Sequence, residues 1–161
     1  MTPPKTPYSK HLGDREPIAS MRDSSERIKA LTEGWSVQQF ERTYAAGKWT
    51  ARLILTHLAE TEMALGYRAR MALSSPGYVA QPFDQDAWLA KESRTSGVEA
   101  AAARYALRQM NLALFAALSP VERQTAFTHP EYGTITVDWI IHMLAGHDLN
   151  HLAQLDTIAK R

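Results

Sequence analysis

Residues 132–155 read YGTITVDWIIHMLAGHDLNHLAQL, and the order of turn, cap and apolar repeat in this stretch decides the fold. Glu131-Tyr132-Gly133-Thr134 has turn composition, and Thr136 offers a hydroxyl to the first free amides of a final helix that runs to the carboxyl end. Each helical residue advances by roughly 100°, so His147 and His151 lie about 40° apart on consecutive turns, where both imidazoles can reach one point. The spacing alone fits a shared metal ion, a surface pair or two hydrogen-bonded core residues. His142 stands five residues before His147, about 140° around the helix, and reads as a packing or hydrogen-bonding residue. Gln154 returns to nearly the face of His147, where it can orient a ligand imidazole, meet a substrate or sit at the bundle rim.

Working outward, the same helical period recurs three more times. A first helix starts near Pro17, with Ile18, Met21, Ser25, Ile28 and Leu31 at three-and-four spacing, and Gly34 stops it, with Trp35 packed at its end. Gly47-Lys48-Trp49-Thr50 supplies a turn, an apolar staple and an N-cap for a second helix to about Leu73, which carries His57 among Leu53, Ile54 and Leu58. Ser74-Ser75-Pro76-Gly77 ends it, and the segment through Phe83, Asp84 and Trp88 reads as a loop with a short helix whose aromatics cover the core. A third long helix spans about Ser96 to Leu118, with Val98, Tyr105, Leu112 and Phe115 as its apolar contacts, closed by Ser119-Pro120 and followed by a connecting loop. Residues 1–15 read as an irregular arm held down through Tyr8 and Leu12. Four long helices predict an all-α, antiparallel four-helix bundle, with 1–161 forming one domain.

Composition narrows the chemistry. With 45% hydrophobic and 22% charged residues the chain suits a globular fold, and 18 Lys and Arg against 17 Asp and Glu leave a net charge of +1 with neither sign clustered. No basic face for nucleic acid is expected. There is no cysteine, so thiolate ligands, disulfides and a cysteine nucleophile are excluded, and any metal must be held by nitrogen and oxygen. The sequence shows neither a signal peptide nor a membrane-length apolar run, which predicts a cytoplasmic protein. His129 and His11 read as loop residues without a role. A di-iron centre does not fit, since Glu-x-x-His pairs are missing.

Four motifs carry a resemblance: YSKHLGDREP at 8–17, GKWTARLILTHLAETE at 47–62, FDQDAW at 83–88 and the 132–155 stretch. Together they resemble the DinB-like superfamily of four-helix metal proteins, in particular its YfiT-like branch, which includes bacillithiol transferases and candidate metal-dependent hydrolases. The resemblance implies that His57, in THLAETE, and His147 and His151, in GHDLNH, hold one divalent ion. The chain has Asn150 where relatives often carry another histidine, and Glu60 where the usual motif has Asp. Relatives commonly pair through their helices, which implies a homodimer.

Three imidazoles without thiolate suit Zn, Ni, Co or Fe, Zn or Ni first, and leave a position open for water or a substrate. The resulting expectation is a metal-dependent enzyme acting on a small molecule, by hydrolysis or by transfer of a low-molecular-weight thiol. A hydrolase needs a general base, for which Glu60 is the nearest acid. Thiol transfer needs a cationic pocket, for which Arg68 and Arg70 are the candidates. The competing expectation is a non-catalytic bundle whose metal ties the second helix to the fourth, serving stress response or assembly.

Overall fold

The computed structural model describes residues 3–161. Its long helices are α2 (Pro17–Thr32), α4 (Ala51–Ser74), α6 (Gly97–Ala117) and α8 (Val137–Ala159), with single-turn helices α1 (Ser9–Leu12), α3 (Val37–Phe40), α5 (Gln85–Leu89) and α7 (Pro120–Arg123), and a hairpin of β1 (Ala126–His129) and β2 (Gly133–Thr136). The caps lie where local chemistry places them. The Thr50 and Thr136 hydroxyls accept from the amides of Leu53 and Trp139, and the Glu16 carboxylate accepts from Ile18 and Ala19 beside Pro17 at the first helical position.

Four sequence expectations need correction, and one short helix was not foreseen. The arm is irregular only up to Tyr8, after which Ser9–Leu12 form one helical turn that buries Leu12. Val37–Phe40 lie in a helix because Ser36 and Gln39 form a reciprocal capping box. Ser119-Pro120 does not simply close α6; Ser119 and Glu122 form a second such box and open α7. The connecting loop contains the hairpin, whose return is made at Gly133 with φ 67°, a left-handed conformation that favours glycine. Val98 and Trp88 point outward, at 63% and 41% exposure, so neither covers the core.

The long helices pack α2 on α8, α4 on α6, α2 on α6 and α4 on α8. Cross-helix contacts fix direction. Ser24 meets Asp148 and Arg27 meets Asp156, so α2 and α8 run the same way; Glu62 meets Arg108, and Arg70 meets Asn111, so α4 and α6 do likewise. Between the pairs the sense reverses, as Tyr105 to Glu26 and Arg108 to Met21 show for α6 and α2. Antiparallelism therefore holds between two parallel pairs. A parallel neighbour cannot be reached by a tight turn, which is why residues 75–96 form a long link carrying α5.

Two apolar clusters fill the bundle. One gathers Met21, Leu65, Ala69, Phe115, Ile140 and Leu144; the other gathers Ile28, Ile54, Leu55, Leu58, Leu152 and Leu155. Along α4, α6 and α8 the residues between them are buried but polar: His57, Glu62, Arg104, Arg108, Asn111, His147, Asp148 and His151. Asp148 accepts from Ser24 at 2.6 Å, from Arg104 at 2.7 Å and from Arg108, which also binds Glu62. Burial alone would raise the Asp148 pKa, but Arg104 and Arg108 outweigh it and hold the carboxyl below its ordinary range. Two buried positive charges thus meet two negative ones in the middle of the bundle.

Candidate metal centre

His57 on α4 and the His147–His151 pair on α8 meet because these helices run antiparallel and His57 falls opposite the gap between the pair. The Nε2 atoms of His57 and His147 are 2.9 Å apart, and those of His151 and His147 are 3.1 Å apart. All three side chains are buried. Burial, with His151 adding to it, lowers the His57 pKa to about 3; burial and its two partners drive His147 well down; burial also lowers His151. At neutral pH the cluster consists of uncharged imidazoles offering lone pairs.

The tautomer of His151 follows from its neighbour. Its Nδ1–H donates to Gln154 Oε1 at 2.9 Å, so its Nε2 presents a lone pair towards His147. A single shared proton can bridge one pair of nitrogens but leaves the third facing a lone pair. A cation answers all three. A tetrahedral ion with bonds of about 2.0–2.1 Å needs nitrogens about 3.3 Å apart, close to the observed spacing. The three residues form a group whose ligand atoms lie within 4.8 Å of one another. The donor set fits a borderline ion such as zinc or nickel.

Aromatic rings enclose the triad. Trp49, before the cap of α4, lies 5.0 Å from the His57 ring and stacks at 6.4 Å on His151, while Tyr8 meets the His147 ring edge-on at 4.9 Å. Tyr8 comes this close because residue 146 is glycine: a Cβ there would lie 2.5 Å from the Tyr8 carbonyl oxygen. The arm is further tied by the Trp139 indole donating to the Lys5 carbonyl at 3.1 Å. Beyond Tyr8 opens a cavity of about 230 Å³, with His57 and His147 at one end, Leu65, Phe83, Trp139 and Met143 along its walls, and Arg68 and His129 further out. On the Trp49 side a second, open cavity touches His151 and Gln154.

The remaining expected residues separate into two groups. Gln154 bonds His151, and Arg68 reaches the triad's cavity. Arg70 instead faces α6, donating to Asn111 Oδ1 at 2.7 Å and to the Gly66 carbonyl. Glu60 lines neither cavity. Its carboxyl is 2% exposed and both oxygens lack a partner among the described residues; burial, with Glu92 adding to it, pushes its pKa up to about 7. His142 donates to the Asp138 carbonyl one turn earlier at 2.9 Å, away from the triad. His129, read from sequence as a loop residue without a role, ends β1 and is buried against the cavity. Its signal was hidden, because only hairpin register and the pairing of Tyr78 and Ala80 with Thr128 bring it beside Arg68.

The sequence pattern of the DinB superfamily matches residues 21–155. A protein of Oceanobacillus iheyensis, named as a candidate metal-dependent hydrolase, is 28% identical over 145 residues, covering 89% of this chain and 84% of its own length. The YfiT protein of Bacillus subtilis, named in the same way, is 24% identical over 163 residues, covering 98% and 90%. The solved structure of YfiT, described as having an unusual four-helix bundle topology, superposes with a TM-score of 0.81 at 22% identity, covering all of this chain and 93% of that one. A mycothiol-dependent maleylpyruvate isomerase superposes with a TM-score of 0.73 at 14% identity, over 94% of this chain and 63% of that longer one.

Proposed function

The chain belongs to the DinB superfamily, and from that premise we propose that His57, His147 and His151 hold one divalent ion, zinc or nickel, and that the protein is a metal-dependent enzyme acting on a small molecule. One observation carries the reading: the three buried Nε2 atoms converge at the end of a cavity instead of inside a sealed core. A purely structural site would close its fourth direction with a protein ligand, whereas here the cavity beside His57 and His147 leaves room for a substrate. The names of the relatives favour hydrolysis, and that of the isomerase favours chemistry with a low-molecular-weight thiol.

Bound at these residues, the ion would supply Lewis acidity to water or a thiol. The protein's own contribution is positional. Gln154 fixes the His151 tautomer, Trp49 and Tyr8 clamp the imidazole rings, and Leu65, Phe83, Trp139 and Met143 give a small substrate an apolar wall. Glu60 lies off both cavities and has no part in this proposal. The proposal extends to a cytoplasmic homodimer with residues 1–161 acting as one unit, supported by the resemblance to paired relatives; no described helix is long and apolar enough to cross a membrane. A nucleic-acid partner is not part of it, since the basic residues are interspersed with acidic ones.

The test is turnover by protein loaded separately with zinc and nickel, assayed on model esters and amides and on electrophiles with cellular thiols. The reading expects one class to turn over, and His151→Ala to abolish turnover while circular dichroism stays unchanged. Turnover that survives in His151→Ala, or no turnover in any metal form, contradicts it.

A further inference from the structure

The outer end of the triad's cavity holds a buried cation that makes no ion pair among the described residues. Arg68 lies eleven residues after His57, about three helical turns, so it returns to the same face of α4 with its Cα about 16 Å further along the axis. It is 6% exposed. Its guanidinium donates to the Gln81 carbonyl and lies 3.1 Å from His129 Nε2, and no carboxylate stands within ion-pair distance of it among the described residues. A buried cation normally has an anionic partner, because desolvation costs more than neutral acceptors return.

His129 sharpens the point. The backbone N–H of Glu131 points at its Nδ1 at 3.1 Å, as the Arg68 guanidinium points at its Nε2. A neutral imidazole has one lone pair, so the ring can accept from the Glu131 amide at Nδ1 or from the Arg68 guanidinium at Nε2, and not from both. Burial, with Arg68 adding to it, lowers the His129 pKa, in keeping with the neutral ring. Of the two N–H donors aimed at the ring, one is therefore left without an acceptor. The arrangement is the inverse of the triad, where lone pairs converge and a cation resolves them. Glu131 lines the same cavity, but it is exposed and makes no ion pair with Arg68.

We propose that Arg68 and His129 form an anion subsite for a carboxylate of the substrate, so that the natural substrate is a small molecule carrying a carboxylate at the end remote from its reacting group. Placing that reacting group at the three histidines rests on the metal-centre proposal; the anion subsite itself does not. Arg suits the task because its planar fork can accept a carboxylate in two parallel hydrogen bonds while keeping its bond to Gln81. The apolar walls between the two ends match a hydrocarbon or aromatic body.

The experiment is a calorimetric titration of the chelator-treated protein with acetate, phenylacetate and the uncharged phenylacetamide, repeated in Arg68→Gln, Arg68→Lys, His129→Gln and His147→Ala. Saturable binding of a carboxylate at one site per chain, at least tenfold weaker binding of the amide, and at least tenfold loss in Arg68→Gln with partial retention in Arg68→Lys uphold the subsite. Should Arg68→Gln not fold, a several-fold loss in His129→Gln carries the same meaning. Retention in His147→Ala keeps the subsite separate from the triad, so it stands even if the protein binds no metal. Equal affinity for acid and amide, undiminished binding in Arg68→Gln, or no saturable binding of either carboxylate overturns it.

Discussion

Replacing Asp148 with alanine removes one of two carboxylates that neutralise Arg104 and Arg108 in the centre of the bundle. All four charged side chains are at most 2% exposed. The variant leaves two guanidinium groups against Glu62 alone, a net buried charge of +1, together with a Ser24 hydroxyl that keeps only its longer bond, 3.2 Å, to the Met21 carbonyl. Removing one member of a buried ion pair costs about 3–5 kcal/mol, a large share of the roughly 5–15 kcal/mol that holds a domain together. For a chain of this size that corresponds to a drop in Tm of about 6–20 °C. Urea unfolding followed by circular dichroism measures it, and an unchanged m-value certifies that the native state is intact. Adding Arg104→Met restores charge balance between Arg108 and Glu62 and should recover at least about 1 kcal/mol. A loss below about 1 kcal/mol in the single variant, or a further loss in the double, would refute the picture of a dry, mutually neutralised layer.

Gln154→Leu removes the acceptor that fixes the His151 tautomer, and metal affinity should fall about 10–100-fold at unchanged helicity; competition against a chromogenic chelator reads it, and unchanged affinity would show that Gln154 does not orient the ligand. Glu60 gives a pH signature in metal-free protein. Because its folded pKa is raised, to about 7, the unfolded chain loses this proton first, so the group lowers stability progressively as pH rises from about 4.5 to 7. Glu60→Gln, which never ionises, should therefore match wild type near pH 4 and exceed it by about 1–3 kcal/mol near pH 8. Parallel stability curves across that range would place the carboxyl in water.

The four long helices were legible because each has a periodic apolar face bounded by local punctuation, with Thr50, Ser96 and Thr136 as caps. The pair His147 and His151 was legible for the same reason, since one helix turn decides their proximity. Other features depend on partners far away in sequence. Arg104 and Arg108 carry no local signal on α6, because the groups that neutralise them, Asp148 and Glu62, lie on two other helices. His129 reads as a loop residue until the hairpin register places it beside Arg68, and the parallel sense of α4 and α6 is set by packing that no local pattern records. The capping boxes of α3 and α7, by contrast, were present as Ser36 with Gln39 and Ser119 with Glu122, on segments too short to show a period.

The central claim is that three neutral imidazoles hold an ion at the end of a cavity. Mass-spectrometric metal content of untagged protein, beside His57→Ala and His147→Ala, tests it most directly. The account predicts about one divalent ion per chain in the wild type and a loss of at least tenfold in occupancy in both variants. Wild-type protein that stays empty after reloading with zinc and nickel, or variants that retain full occupancy, would contradict it.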